Sequence, residues 1–260
     1  MTSIVSLAAR WVAWMVGWLL LAAGYAWAGE ARVAVAANMS APMQQLQAEF
    51  GRATGHTLVV AVGATGKLQA QIVNGAPFDV LVSADDEAPK RLEAGGQAVA
   101  GTRLTYAIGR LVLWSATPGL VDAQGQVLSQ GNFRHLALAN PQTAPYGAAA
   151  VEVMDKLGLR ARLQPRWVQG ESVAQAWQFV ASGNAELGFV AASQVLRNQQ
   201  PLGGSVWLVP SSLHTPLLQD AVLLQRGRDN DAAKAFLAFL RSDAARQVLR
   251  SYGFEEPARP

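Results

Sequence analysis

Residues 62–86, VGATGKLQAQIVNGAPFDVLVSADD, decide the fold class of this chain. A β-branched apolar run ends at Gly63, a short turn follows, and apolar residues then return at helical spacing in Leu68 and Ile72. After a second turn, residues 79–83 are again typical of a buried strand. Because strand, helix and strand in succession are typical of α/β sheets, the stretch predicts that architecture.

Thr65 is the single hydroxyl residue in the turn between Gly63 and Gly66. We predict that it is the N-cap of a helix over 66–74. The first N–H groups and the positive dipole end of such a helix can face an anion. A cap that only satisfies its own helix is the plainer interpretation of one such turn, so a functional interpretation needs repetition elsewhere in the chain.

The rest of the chain alternates strands and helices in the same way. Further strands are predicted at 31–38, 57–63, 103–114, 135–140, 187–192 and 216–225. Further helices are predicted at 40–55, 86–93, 146–158 and 171–183, with one or two more after residue 230. This alternation predicts an α/β fold with mixed, mostly parallel sheets flanked by helices.

Two long β-type runs, 103–114 and 216–225, predict that the chain crosses twice between two lobes. Residues 30–107 plus 220–260 are expected to form lobe one, and residues 108–219 are expected to form lobe two. A cleft between lobes, at the carboxyl ends of parallel strands, is a preferred place for a ligand. Both crossings would then act as hinges.

Residues 1–28 differ from the rest of the chain. Arg10 precedes an uncharged apolar stretch that ends in Ala26, Trp27 and Ala28, which fits the small residues found before a signal cleavage site. We predict a cleavable secretory signal peptide, and the alternative is an uncleaved N-terminal anchor. Export of a chain without cysteine is consistent with a periplasmic location.

Composition excludes several classes of function. The chain has 21 Lys and Arg against 18 Asp and Glu, an excess too small to predict a nucleic-acid surface. It has no cysteine, which excludes disulfides, thiolate nucleophiles and Cys-ligated metals. The three histidines are scattered, and neither GxSxG nor HExxH occurs, so an enzyme has little support.

Four segments share one design, in which a strand is followed by small or hydroxyl residues and then by the start of a helix. They are residues 36–40, 63–66, 144–147 and 170–173. If these helix starts converge in the cleft, their N–H groups would line an anion site together with the Asn38 amide, the Thr65 hydroxyl and the Tyr146 phenol. Capped helices are common in α/β proteins, so the pattern alone leaves a purely structural interpretation open.

These segments and others also resemble one protein family. The motifs are AANMSAPM, VGATGKL, QIVNGAPFDVLVSAD, ANPQTAPYGAAAVEVMDKLG, GESVAQAW, ELGFV and the C-terminal SDAARQVLRSYGF. Together they are similar to the periplasmic molybdate-binding proteins of ABC uptake systems, over nearly the whole mature chain. The resemblance implies a two-lobed, type II periplasmic binding fold that closes on a tetrahedral oxyanion without catalysis.

The resemblance also implies which residues hold the ligand. By position, Asn38 matches the first-helix ligand and Thr65 the second-helix hydroxyl. Tyr146 and Val173 match the two lobe-two ligands, Val173 through its backbone N–H. These four residues are therefore expected to contact molybdate or tungstate. They would contact the oxygens of that anion, and the metal atom at its centre would have no other protein ligand.

The sequence departs from the common pattern of the family at this site. Asn38 and Thr65 stand where many relatives carry Ser, and Ala37 lacks a hydroxyl that could add a hydrogen bond. Ala191 stands where one branch of the family has a ligand Tyr. Tyr146 could supply that phenol from another segment.

The chemistry of the four positions agrees with this class of ligand. A fully ionised oxyanion needs hydrogen-bond donors only, whereas a protonated phosphate also needs an acceptor. No carboxylate falls among the four positions, and Lys67 and Glu171 nearby are expected to point into solvent. The resemblance further implies a monomer without a cofactor that delivers its ligand to an inner-membrane ABC permease with its ATPase.

The residues also bear on three other interpretations. Sulfate is an alternative ligand, because it too needs donors only. A ferric site would need clustered Tyr, His or carboxylates, and the four tyrosines of the chain are not adjacent. Asp79, Asp85 and Asp86 could suggest paired carboxylates or a metal, but Asp79 is expected to begin a strand and Asp85 to cap a helix, and no His joins them. The effector domain of a transcription regulator would carry a DNA-binding helix pair where the signal sequence lies.

Overall fold

The computed structural model describes residues 28–257. The predicted signal peptide, residues 1–28, therefore lies outside the described residues except for Ala28. Within the described range, no helix combines the length and the apolar character needed to cross a bilayer.

Strands and helices alternate along the described residues. The strands are β1 (Glu30–Ala36), β2 (Thr57–Gly63), β3 (Val80–Val82), β4 (Leu104–Gly109), β5 (Leu111–Ser115), β6 (Leu136–Ala139), β7 (Trp167–Gly170), β8 (Leu187–Ala191), β9 (Leu196–Arg197), β10 (Gln200–Pro201), β11 (Ser205–Leu208) and β12 (Leu217–Leu223). The α-helices are α1 (Ser40–Thr54), α2 (Thr65–Val73), α3 (Glu87–Ala94), α4 (Val127–Gln130), α5 (Pro145–Lys156), α6 (Arg160–Leu163), α7 (Val173–Ala181), α8 (Ala192–Val195), α9 (Asp231–Phe239) and α10 (Asp243–Ser251). Short 3-10 turns lie at Ala37–Met39, Gln164–Arg166, Ser211–Leu213 and Gln225–Gly227.

The first of two five-stranded sheets has the spatial order β2-β1-β3-β12-β4. β1 pairs in parallel with β2 and β3, whereas β12 runs antiparallel to β3 and β4. A β-bulge shifts the pairing of β12 with β4 between Gln219 and Asp220. The second five-stranded sheet has the order β11-β5-β8-β6-β7, with β6 parallel to β7 and β8 and β5 antiparallel to β8 and β11.

Helices cover both faces of the first sheet, which explains its apolar strands. On one face, Phe50 of α1 packs edge-on against Phe236 and Phe239 of α9. On the other face, Leu68 of α2 and Leu92 of α3 belong to a smaller buried cluster. The second sheet has its own core, to which α5 and α7 contribute buried apolar side chains.

The chain passes between the sheets at two places. β4 and β5 belong to different sheets and are separated by Arg110 alone. The return runs through residues 209–216, between β11 and β12. Strand pairing would set the boundaries after Gly109 and before Leu217, close to the predicted 107/108 and 219/220, and the division into lobes with hinges stays a prediction.

The predicted α/β class with two mixed sheets flanked by helices is confirmed. The sheets are evenly mixed rather than mostly parallel, since each contains two parallel and two antiparallel pairings. The antiparallel strands β5 and β12 enter their sheets directly from the other sheet. They therefore need no helical crossover of the kind that joins parallel neighbours.

Two strands of the five-stranded sheets and the short pair β9 and β10 escaped the sequence analysis, and one predicted strand is divided. The run 103–114, predicted as one strand, forms β4 and β5 in separate sheets. The sequence analysis missed the division because an apolar run carries no signal of a change of partner strand. β7 and β11 were not predicted. Both are edge strands of four residues whose side chains are mostly half-buried or exposed, so neither shows a clear apolar alternation.

Candidate functional site

A small cavity lies where carboxyl ends of strands from the two sheets face each other. All four predicted contact residues line it, and the complete lining is Ala36, Ala37, Asn38, Ala64, Thr65, Ala84, Ala144, Pro145, Tyr146, Ser172 and Val173. None of these lining residues carries a formal charge. The cavity is small, about 10 Å³, which is roughly the room that one water molecule needs.

Helix starts converge on this cavity. Thr65 and Val173 are the first residues of α2 and α7, and Tyr146 is the second residue of α5. The 3-10 turn that contains Asn38 leads into α1. Because the first N–H groups of a helix have no intrahelical acceptor and lie at its positive end, this arrangement favours an anion.

Asn38 is almost fully buried, at 1% exposed, and is held from three directions. Its Nδ2 donates to Gln219 Oε1 at 2.8 Å and, over a longer distance of 3.4 Å, to the Tyr146 hydroxyl. Its backbone carbonyl accepts a hydrogen bond from Ser193 Oγ at 2.7 Å. Among the described residues, no donor reaches its buried Oδ1.

Thr65 lies in the helix rather than at its cap, which corrects the sequence prediction. Ala64 is the N-cap residue of α2 and Thr65 follows it as the first helical residue. The buried Thr65 hydroxyl instead accepts a hydrogen bond from the Ala84 N–H at 3.2 Å. A hydroxyl that accepts one bond still has its own hydrogen to donate, so Thr65 can offer that hydrogen to an anion.

Tyr146 is buried, and its phenol is neutral. Burial raises the pKa of the Tyr146 phenol well above its usual range, and the hydrogen bond from Asn38 only partly offsets that rise. The hydroxyl accepts from Asn38, which leaves its own hydrogen to donate. Gly109 makes room for it, because a Cβ at Gly109 would overlap the Tyr146 hydroxyl.

Val173 contributes its backbone rather than its side chain. Ser172 is the N-cap of α7, and its side chain accepts from the Gln175 N–H at 3.4 Å. Within residues 28–257, the N–H groups of Val173, Tyr146 and Thr65 have no hydrogen-bond acceptor. Three backbone donors at the cavity are therefore free.

Two further contacts join the sheets beside the cavity. The Gly66 N–H donates to the Thr143 carbonyl at 2.9 Å, so this N–H of α2 is already in use. Lys67 and Glu171, both expected to point into solvent, are exposed and also form an ion pair across the same gap. Their side chains are 51% and 63% exposed, so the pair contributes little to stability.

Three residues near the site were missed by the sequence analysis. Gln219, Ser193 and Gly109 contact the site residues from β12, α8 and β4. The one signal that could have pointed to Gln219 is a polar pair in the apolar run LLQDAVL. Ala37 lines the cavity, whereas Ala191 ends β8 outside the lining and is fully buried.

The acidic residues considered in the sequence analysis have structural partners. Asp79 accepts from the Arg32 N–H at 2.7 Å, just before β3 begins. Asp85 accepts from the Ala88 N–H at 2.9 Å in the first turn of α3. In the described part of the chain, no three His, Cys, Asp or Glu side chains are grouped as a metal site would require.

Comparison with known proteins identifies close relatives. The family described as bacterial extracellular solute-binding protein matches residues 31–255. The molybdate-binding proteins of Azotobacter vinelandii and Rhodobacter capsulatus are 53% and 49% identical over 227 residues, which is 87% of this chain and 90% and 88% of theirs. The solved periplasmic molybdate-binding protein of Azotobacter vinelandii superimposes with a TM-score of 0.85 at 42% identity, over 87% of this chain and 99% of that one.

Proposed function

The chain belongs to the family of bacterial extracellular solute-binding proteins, and from this premise we propose that it binds molybdate in the cavity between its two sheets. The resemblance to the periplasmic molybdate-binding proteins is confirmed by the two curated relatives and the solved structure. Proteins of this kind carry solutes for ABC transport, so the chain is a transport component and not an enzyme.

The convergence of uncharged donors carries the proposal. The cavity gathers the free N–H groups of Thr65, Tyr146 and Val173, together with the Thr65 hydroxyl, the Tyr146 phenol and the Asn38 amide. A fully ionised oxyanion accepts every one of these bonds, and each hydrogen bond to a charged group stabilises by about 1.5–3 kcal/mol. Because the site is buried, those bonds are stronger than they would be in water.

The uncharged lining also fits a protein that must release its ligand. A buried Lys or Arg in the cavity would add a strong attraction that opening of the cleft would have to overcome. Donors from helix starts act together only while the two walls are close, so separation of the walls weakens all of them at once. We propose that the same site takes tungstate and that the closed form delivers either anion to an ABC permease with its ATPase.

The location follows from the same proposal. A carrier for an inner-membrane permease has to lie outside that membrane, and residues 1–28 have the sequence of a cleavable signal peptide. We therefore place the mature chain, beginning at Gly29, in the periplasm as a monomer. Edman sequencing of the exported protein would check the cleavage site, since an uncleaved anchor would leave Met1 or Thr2 at the N-terminus.

Calorimetric titration of the mature chain tests the choice of ligand. Molybdate and tungstate are expected to bind at one site per chain, and a hundredfold excess of sulfate is expected to leave the molybdate isotherm unchanged. Displacement of molybdate by sulfate at modest excess would contradict the assignment. Absence of heat with all three anions, together with a melting temperature that none of them changes, would contradict the presence of an oxyanion site.

A further inference from the structure

Gln219 lies outside the cavity lining but holds the amide of Asn38. We propose that Gln219 is a positioning residue that turns the nitrogen of the Asn38 amide, rather than its oxygen, towards the bound anion. This inference rests on the proposed function, because it assigns a role in the same oxyanion site. It goes beyond the four-residue site because binding would also depend on Gln219, a residue of β12.

The orientation of the Gln219 amide is fixed by its surroundings. Gln219 is fully buried, and its Nε2 donates to the carbonyl of Leu217 at 2.9 Å and to that of Ala84 at 3.2 Å. A reversed amide would set its oxygen against two carbonyl oxygens with no proton between them. Oε1 is therefore the atom that faces Asn38.

The fixed Gln219 oxygen in turn fixes Asn38. Only the nitrogen of the Asn38 amide can donate to Gln219 Oε1, and it does so at 2.8 Å. Among the described residues, nothing donates to Asn38 Oδ1, so no contact on the oxygen side selects this orientation. The other contact of the nitrogen, to the Tyr146 hydroxyl, is long at 3.4 Å, which leaves Gln219 as the principal restraint.

This restraint decides whether the Asn38 amide presents its N–H or its partially negative oxygen to the cavity. The second N–H of Asn38 points towards the Tyr146 hydroxyl, and both residues line the cavity. An anion that replaces this long contact can accept that hydrogen. If the amide were reversed, the partial negative charge of Oδ1 would face the anion, so one donor would be replaced by one repulsive contact.

Two features of the backbone make room for this arrangement. The β-bulge in β12 lies between Gln219 and Asp220, and both side chains are fully buried, as expected where a bulge re-aims neighbouring residues. A Cβ at Gly109, on the adjacent strand, would come within 2.8 Å of Gln219 Nε2. The absence of a side chain at Gly109 therefore admits both Gln219 and the Tyr146 hydroxyl.

A double-mutant cycle on molybdate binding tests the proposal. Gln219→Met keeps the length of the side chain and removes its acceptor, and we expect it to weaken binding about tenfold. In the Asn38→Ala background, where there is no amide to position, the same change is expected to alter affinity less than about twofold. An equal loss in both backgrounds would overturn the proposal, since a purely structural role does not depend on Asn38.

Gln47→Met is the matched control. Gln47 is half-buried and donates to the Leu58 carbonyl at 3.1 Å. Leu58 lies near the start of β2, at the opposite end of the strand from the cavity. This control removes one glutamine hydrogen bond and is expected to leave molybdate affinity unchanged, and a tenfold loss in it would contradict a specific role for Gln219.

A second measurement needs no variant and covers the case in which Gln219→Met does not fold. In NMR spectra of the wild-type chain, the side-chain amide protons of Gln219 are expected to exchange slowly with water, with and without molybdate. Those of Asn38 are expected to shift when molybdate binds. Fast exchange at Gln219, or unshifted Asn38 signals in a chain that binds molybdate, would overturn the inference, whereas absence of binding would overturn the proposed function instead.

Discussion

The two walls of the cavity offer their donors in different ways. The first wall, formed by Asn38 and Thr65 beside β1 and β2, has side chains that are already hydrogen-bonded to the protein. The second wall, formed by Tyr146 and Val173 beside β6 and β7, offers a phenol with one long contact and a backbone N–H without an acceptor in the described chain. The first wall is thus positioned by its neighbours, and the second by the start of its helices.

This difference separates stability from affinity. A change in the first wall removes a donor and also leaves a buried protein group without its partner, so it should lower both the free energy of unfolding and the affinity. A change in the second wall removes a donor that the folded protein does not otherwise use. Such a change should lower the affinity alone.

Gly109→Ala is expected to have the largest effect, because it disturbs both walls at once. A Cβ at this position would overlap the Tyr146 hydroxyl and crowd Gln219 Nε2. We expect molybdate affinity to fall by more than about 100-fold, the loss of more than one charge-assisted hydrogen bond. Gly51→Ala is the control, since the nearest atom to its Cβ would lie 3.5 Å away. Equal affinities of the two variants in calorimetry would contradict the close approach.

Val173→Pro isolates one backbone donor of the second wall. Proline is tolerated at the first position of a helix, and Ser172 before it has the extended backbone that proline requires, with φ −143° and ψ 167°. We expect a loss of affinity of about 30-fold with the melting temperature nearly unchanged. Val173→Ala keeps the N–H and should bind within about threefold of the wild type. If both variants bind alike, the Val173 N–H is not a ligand.

Comparison of Thr65→Ala with Tyr146→Phe tests the difference between the walls directly. Each should weaken molybdate binding about tenfold. Thr65→Ala should also lower the free energy of unfolding by about 1–3 kcal/mol, because the buried Ala84 N–H loses its acceptor. Tyr146→Phe should lower it much less. Equal melting temperatures would remove the distinction, and Thr65→Ser serves as the control that restores the hydroxyl.

The same tyrosine predicts how binding depends on pH. Because burial raises the pKa of the Tyr146 phenol well above its usual range, the phenol should stay protonated at pH 10, where an exposed tyrosine is about half ionised. The ratio of wild-type affinity to that of Tyr146→Phe should therefore be constant between pH 7 and pH 10. A ratio that falls towards one at the upper end would show that the phenol ionises and stops donating.

Lys67→Met should have the smallest effect. The pair with Glu171 spans the gap between the walls but is exposed, so its loss should change affinity by less than about threefold. Any effect should disappear in high salt, because salt screens exposed charges. A larger loss that persists in high salt would mean that Lys67 approaches the anion directly. Glu171→Gln breaks the same pair without touching Lys67 and separates the two interpretations.

Local patterns placed the four site segments, whereas their assignment to one site came from the resemblance to a known family. Strand-to-helix turns are local, so the spacing of apolar residues around Thr65 and Tyr146 identified the helix starts. The positions of those starts relative to each other depend on sheet order, which is not local. Gln219 and Ser193 lie 181 and 155 residues from Asn38 in the chain, and no local pattern relates them to it.

The errors of detail have a similar cause. Thr65 was predicted as a cap because a hydroxyl beside glycine usually satisfies its own helix, and the nearby Ala84 N–H from the turn after β3 could not be foreseen. The run 103–114 was predicted as one strand because β4 and β5 are both apolar and separated by a single residue. In both cases a partner distant in sequence decided the outcome.

The position of β12 has a consequence for the order in which the protein can fold. The strands of the second sheet all lie between Leu111 and Leu208 in the chain. The first sheet is complete only when β12, after residue 216, is inserted between β3 and β4. Contacts of such long sequence separation form slowly. As the chain emerges with its N-terminus first, the second sheet can form while β4 still lacks its partner strand β12. Asn38 therefore acquires its Gln219 contact only after nearly the whole chain has emerged.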